Sequence, residues 1–222
     1  MNKILVWDLP LRLFHWLLVL LVIVSWVSVK IGGNAMQIHL LSGYTILTLV
    51  LFRILWGFAG GAHARFASFV RGPAAAIEYL RALRRRDADH HPGHNPAGAW
   101  SVILMLAVLL AQAGTGLFAN DDIATEGPLA RLVSKAISDR ITGIHQLNVK
   151  LLYALIALHL CAIAYYYFRR RENLVKPMLT GFKEGVAGAG ASARNRGNVW
   201  LAALLLAACA GGVYLLIKFP WA

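Results

Sequence analysis

The chain has 222 residues, of which 59% are hydrophobic and only 14% charged, with a mean hydropathy of +0.60. This excess of apolar side chains excludes a single soluble core of this size and places the chain among membrane proteins. The net charge of +12 does not indicate nucleic-acid binding, because no motif interleaves aromatic and basic residues as such partners require.

Five apolar stretches are each long enough to cross a bilayer as a helix, which takes about 17 to 25 residues. They run from Leu11 to Val29, Ile38 to Phe58, Trp100 to Phe118, Asn148 to Phe168 and Val199 to Ile217. Helices suit this role because they satisfy their own backbone hydrogen bonds, which lipid cannot do. The first stretch follows Lys3 and Arg12 like a signal peptide, but it is long for that role and "VKIGGNAMQIH" is a poor cleavage site. Five retained spans put the termini on opposite sides. With the N-terminus cytoplasmic, only Lys30, Arg131, Lys135, Arg140, Lys150 and Lys218 of the 22 lysines and arginines fall outside. That bias orients the chain in a bacterial inner membrane, with the C-terminus periplasmic, and assigns the positive charge to topology and anionic lipid.

In chain order, the loop after the second span contains "RFASFVRGPAAAIEYLRALRRR", whose apolar residues alternate with arginines as in a helix lying on the membrane surface. The following "HHPGHNP" contains His90, His91 and His94, but Pro92, Gly93 and Pro96 favour an exposed turn and no carboxylate or cysteine completes a metal ligand set. The loop from Ala119 to Ile144 carries Asp121, Asp122, Glu126 and Asp139 and reads either as a partner's docking surface or as an ordinary solvated loop. "KEGVAGAGASARNRGN" reads as a flexible linker. The last span has Ala203, Ala207 and Gly211 at four-residue spacing, a smooth face for close helix packing. Cys161 and Cys209 lie inside spans, without C-x-x-C spacing, and read as small hydrophobes.

Four histidines fall in or at the edges of spans: His15, His39, His145 and His159. One alone reads equally well as a polar packing residue, but four at matched depths call for a joint explanation. His15 starts an outward span and His39 an inward one, so they lie at opposite depths. His145 opens the inward fourth span, and His159 lies about 21 Å further along it at 1.5 Å per residue. The depths pair His15 with His159 and His39 with His145. Fourteen residues is close to four helical turns, so His145 and His159 point to nearly the same side of their helix.

Two facing imidazole pairs in a helix bundle suit two metal centres. Haem iron fits best, because an all-histidine pair is poor for structural zinc. With both axial positions filled, such a haem favours electron transfer over oxygenation. Arg53, fourteen residues after His39 and on its face, is a candidate for a haem propionate, as is Arg12, one turn before His15. Both also read as arginines snorkelling to the interface. Gly43, one turn after His39, and Gly114 and Gly116 in "AQAGTG" give room for a flat macrocycle, or simply mark close helix contacts.

"LRLFHW", "IHLLSGYTILTLVLFR" and "HQLNVKLLYALIALH" resemble the bacterial cytochrome b561 family, which is grouped with the b-type cytochrome subunit of nickel-iron hydrogenases. The similarity covers the first four spans, about residues 5 to 175. It implies an all-α integral membrane fold, an up-and-down four-helix haem-binding bundle, to which this chain adds a fifth C-terminal transmembrane helix. It also implies two b haems, with the four histidines as axial ligands in the pairs given above, and exchange of electrons with the quinone pool. The expected organisation is a di-haem domain over 1–175, with a cytoplasmic loop at 59–98 and a periplasmic loop at 119–144, then a linker at 176–198 and the fifth helix within 199–222.

The function expected is a membrane di-haem cytochrome b carrying electrons between quinone and a periplasmic redox protein such as a c-type cytochrome, with possible quinone reductase or quinol oxidase activity. An alternative is the membrane anchor subunit of a periplasmic dehydrogenase or hydrogenase. A histidine-lined metal-ion transporter lacks the carboxylates that such a path usually carries, and a purely structural scaffold leaves the depth matching unexplained. Lys150, one turn inside the fourth span, is a candidate for quinone contact or a snorkelling cation.

Overall fold

A computed structural model describes residues 3–85, 93–184 and 196–218. Helices dominate: α1 (Leu9–Ile31), α2 (Met36–Ala59), α3 (Phe66–Phe69), α4 (Pro73–Arg85), α5 (Pro96–Gly116), α6 (Lys135–Arg169), α7 (Val175–Thr180) and α8 (Val199–Lys218). The helices α1, α2, α5, α6 and α8 are long and apolar enough to cross a membrane. Large apolar side chains such as Leu20 and Ile23 on α1, or Leu147 and Leu158 on α6, are exposed. Water would not tolerate so much exposed apolar surface, whereas lipid covers it at no cost.

The helix ends follow local chemistry. Asp8 accepts a hydrogen bond from the Leu11 N–H at 2.9 Å and caps α1, whose first turn holds Pro10. The helix stops at Gly32 and Gly33, both with positive φ, which an L side chain adopts only with strain. Asn95 caps α5 by accepting the Gly98 N–H at 2.8 Å, and Pro96 takes the first helical position, where no N–H is needed. The surface helix expected across 65–86 is broken in two, because the segment before Pro73 is extended at Val70 and α4 begins only at the proline. Tyr79 and Ala76 form the buried side of α4, three residues apart.

The helix α6 has 35 residues, about 52 Å at 1.5 Å per residue, so it outruns the roughly 30 Å hydrocarbon core. It starts at Lys135 and takes in the last ten residues of the segment expected to be loop. A hydrophobicity criterion misses this turn because Lys135 and Asp139 are polar. They stabilise it instead as an ion pair four residues apart at 2.5 Å.

Tertiary contacts divide the chain into two compact units, and each of the five long helices contributes residues to both. Unit 1 comprises 1–13, 53–105 and 155–203. In it, a two-stranded antiparallel sheet joins β1 (Lys3–Leu5) to β2 (Phe182–Glu184), with Ile4 opposite Lys183. This departs from an all-helical reading, which three-residue strands are too short to contradict by pattern. Lys176 and Lys3 hold the Glu184 carboxyl below its usual range, the former at 3.2 Å. Asp8 organises the interior: its carboxylate accepts from Trp56 Nε1 at 3.1 Å and from the Gly61 N–H at 3.0 Å. Gly197 lies so close to Trp56 and Asp8 that a Cβ there would overlap the indole, so the end of the expected linker is packed. Its first part, expected to be linker from 176, instead holds most of α7 and all of β2, while residues 185–195 lie outside the described residues, as do His90 and His91.

Unit 2 comprises 14–52, 106–154 and 204–222. Leu47, Leu117, Leu129 and Val213 form its buried apolar cluster, with Tyr44, Ala113 and Phe118 against it. On α8 the buried side chains are Ala202, Cys209 and Val213, while Ala203, Ala207 and Gly211 are exposed. The smooth face expected to pack therefore turns outward, because Val213 fills the apolar cluster better than an alanine or glycine would. The loop after α5 is ordered by side chains. Asn120 donates to Ser138 Oγ at 2.6 Å, and Asp121 accepts the N–H groups of Ile123, Ala124 and Thr125 at 3.0, 2.9 and 2.8 Å.

Candidate functional site

Polar side chains inside apolar helices are costly unless they are partnered, so their partners identify the site. In unit 2, His39 near the start of α2 places Nδ1 3.1 Å from the Ser25 carbonyl oxygen and 3.0 Å from Ser25 Oγ, both on α1. A carbonyl only accepts, so Nδ1 carries a proton, and in the neutral ring the lone pair is then on Nε2. On α6, His145 Nδ1 lies 3.1 Å from Thr115 Oγ1 of α5. That hydroxyl already donates to the Ala111 carbonyl at 2.6 Å, so it accepts from His145 and again fixes the proton on Nδ1.

Both imidazoles thus take the tautomer that offers Nε2 to a metal. The orienting acceptor on the other ring nitrogen is the usual companion of a metal-bound histidine. The two rings are perpendicular, with centres 6.3 Å apart. Two metal–nitrogen bonds of about 2 Å, with each ring centre about 1 Å behind its nitrogen, separate the centres by about 6 Å. The observed spacing of the ring centres is close to that separation.

Surrounding residues refine the site. Gln112 places its amide nitrogen 3.0 Å from His145 Nε2 and accepts from Asn148 Nδ2 at 2.7 Å through its own oxygen. A metal bond at Nε2 replaces the hydrogen bond from Gln112. A Cβ built on Gly116 would meet His145 Cε1 at 3.1 Å, so glycine at this position lets the imidazole approach α5. Gly43 and Gly114 differ: a Cβ at either would meet nothing within 4 Å. Both border open space, Gly43 on α2 and Gly114 on α5.

The other expected residues are placed as follows. His15 on α1 and His159 on α6 are half-buried. Arg53, near the end of α2, is 2% exposed, and neither of its terminal nitrogens has a hydrogen-bond partner among the described residues. Its guanidinium lies over the Phe66 ring, 5.0 Å from the centroid. Gly57 permits this, since a Cβ there would overlap Phe66. Buried donors of this kind can hold an anion. Arg12 is differently used: its Nη2 donates to the Leu179 carbonyl, which holds α7 against the start of α1. Lys150 is exposed on α6.

His94 does not lie in an open turn. Its ring packs 4.6 Å from Trp7 and 4.7 Å from Phe69. Among the described residues, no group of three or more histidine, cysteine or carboxylate side chains is placed to hold a metal ion. Sequence reasoning missed Asp8, Ser25, Gln112, Thr115 and Asn148. Their common signal is a polar residue in or beside an apolar run, which in lipid implies a specific partner.

A family model described as prokaryotic cytochrome b561 matches residues 6–181. A probable Ni/Fe-hydrogenase B-type cytochrome subunit from Azotobacter vinelandii is 24% identical over 210 residues, covering 80% of this chain and 87% of that protein. Its counterpart from Azotobacter chroococcum mcd 1 is 26% identical over 211 residues, with the same coverage. No solved structure matches. The b-type haem that such a family implies fits the residues present: two imidazoles whose ring centres are 6.3 Å apart, with open space at Gly43 and Gly114. With most of its length matched by that model and five helices able to span a bilayer, this multi-pass membrane protein belongs to the prokaryotic cytochrome b561 family.

Proposed function

We propose that this protein is a di-haem b-type cytochrome that carries electrons between the quinone pool and a periplasmic redox partner. The observation that supports it best is the His39–His145 pair, perpendicular at 6.3 Å with both Nδ1 protons committed to acceptors. These two residues are the proposed axial ligands of one haem. Depth arithmetic on the sequence assigns His15 and His159 to a second. Haem held by these histidines would supply one-electron chemistry.

The protein's own contribution is positional. Ser25 and Thr115 hold the imidazoles in the ligand tautomer, Gly43 and Gly114 keep space clear, and Arg53 offers two buried donors to a propionate. Apolar helices around the site exclude water, which raises the weight of each of these contacts. The proposed orientation places the N-terminus in the cytoplasm of a bacterial cell, which the lysine and arginine distribution supports.

Optical spectra of the purified protein, oxidised and dithionite-reduced, with a pyridine haemochrome count, test this reading. Sharp reduced bands of low-spin haem b at two per chain are expected. A colourless protein from haem-replete cells overturns it. A second reading is favoured by the relatives' description as hydrogenase cytochrome subunits: the chain is the membrane anchor of a periplasmic hydrogenase or dehydrogenase. Purification in mild detergent separates the two, since a stoichiometric iron–sulfur enzyme marks the anchor and a c-type cytochrome marks the independent carrier.

A further inference from the structure

Apart from the histidine pair, a charged concavity in unit 1 lies where α4 meets the end of α6. It has a volume of about 620 Å³ and is lined by Arg84, Arg169, Arg170 and Arg171 together with Leu80 and Phe168 among others, with no carboxylate in its wall among the described residues. The volume is that of a small-molecule site. Arg84, Arg169 and Arg171 are exposed, as are Leu80 and Phe168. A second, apolar cavity of about 240 Å³, lined by Leu160, Ile163, Ala164, Tyr167 and Leu174, adjoins the first through the shared Phe168.

The backbone holds these charges in place. Arg171 has φ 56, a left-handed conformation that favours glycine. It closes α6 in a turn in which the Glu172 N–H reaches back to the Tyr166 carbonyl at 3.0 Å. Tyr166 is in turn fixed by Tyr79 of α4, hydroxyl to hydroxyl at 2.7 Å, and by Asn95 Nδ2 at 2.8 Å. The same bonds that dock α4 on α6 therefore build the arginine-lined wall. A non-glycine residue kept in a strained position at the end of a spanning helix points to a use for its side chain.

We propose that this cavity binds the phosphate headgroup of an anionic glycerophospholipid and that the adjoining apolar cavity takes the upper part of an acyl chain. Charge complementarity selects the headgroup: the guanidiniums of Arg84, Arg169 and Arg171, with no lining carboxylate among the described residues, match a phosphodiester with forked hydrogen bonds. The apolar neighbour selects a lipid over a free anion. Basic pockets at the membrane ends of helices are suited to such headgroups.

The test uses the full-length, haem-loaded protein in detergent. Dioctanoyl phosphatidylglycerol, dioctanoyl phosphatidylcholine and inorganic phosphate are titrated separately, with thermal stabilisation and lipid retention in native mass spectrometry as readouts. One phosphatidylglycerol retained per chain is expected, with little phosphatidylcholine and no stabilisation by millimolar phosphate. R84Q/R169Q weakens retention by roughly five-fold for each arginine removed.

R171G weakens it by about five-fold too, although glycine relieves the left-handed backbone and so favours folding. Loss of binding in that variant is therefore not a folding defect. R65Q/R71Q, which removes two exposed arginines outside the cavity, leaves retention unchanged. Equal retention of phosphatidylcholine, equal stabilisation by inorganic phosphate, or an equal loss in R65Q/R71Q overturns the proposal.

Discussion

The imidazoles of His39 and His145 stand at 90° with centres 6.3 Å apart, and each gives its Nδ1 proton to an acceptor on a neighbouring helix. The two acceptors are not equivalent. Ser25 holds His39 through its main-chain carbonyl at 3.1 Å as well as its hydroxyl, whereas Thr115 holds His145 through a hydroxyl alone. T115V is therefore expected to lower haem affinity at this site by about 10- to 100-fold, the usual effect of losing a partner behind a metal ligand. S25A keeps the carbonyl and should change affinity by much less. Haem titration of the two apoproteins checks the contrast, and equal effects would show that the carbonyl contributes nothing.

The glycines separate by what faces them. Gly43 and Gly114 border open space, so alanine at either should be tolerated by the apoprotein, with a helix-propensity gain of up to about 1 kcal/mol. Leucine at the same positions fills space that a macrocycle needs and should reduce the haem count by one per chain. G116A differs, because its methyl meets His145 Cε1 at 3.1 Å. It is expected to displace the imidazole and change the low-spin spectrum without adding bulk to the open space. If G43L and G114L retain both haems, these glycines serve helix packing only.

Arg53 carries a buried positive charge whose terminal nitrogens have no hydrogen-bond partner among the described residues. Its removal in R53Q should make oxidised haem less disfavoured and lower one haem's reduction potential. A loss of about 1.4 kcal/mol in charge interaction corresponds to about 59 mV for a one-electron couple. R53K, which keeps the charge but loses the fork, should shift less. Spectroelectrochemical titration reads the value, and an unshifted potential in R53Q removes Arg53 from the haem environment.

Asp121 gives an acid limit to the loop after α5. Three backbone N–H groups bond its carboxylate and lower its pKa from 3.8 to about 2. Because the folded value is depressed, the stabilisation is fully present above the unfolded value and is lost as pH falls through the folded one. The loop should resist proteolysis at pH 5 and open progressively between about pH 4 and pH 2. D121N should cleave at equal rates across that window, and a wild-type loop indifferent to acid would contradict the role of these bonds.

The length and apolarity of the chain's hydrophobic runs suffice to count five spans. Each helix must satisfy its own backbone in lipid, so the signal is local and survives without knowledge of neighbours. The equal depth of His39 and His145 is legible for the same reason, since rise per residue is a property of one helix. The resemblance carried by the histidine-bearing segments adds the family. Other features depend on residues distant in sequence, and no local pattern discloses them.

Asp8 meets Trp56 and Gly61, β1 meets β2, and His94 lies between Trp7 and Phe69. The tautomers of His39 and His145 follow from Ser25 and Thr115, which are unremarkable residues until the helices that carry them pack together. On α8, hydrophobicity cannot say which side packs, because lipid and protein interior are equally apolar. Shape complementarity decides, and it chooses Val213 over the small-residue stripe.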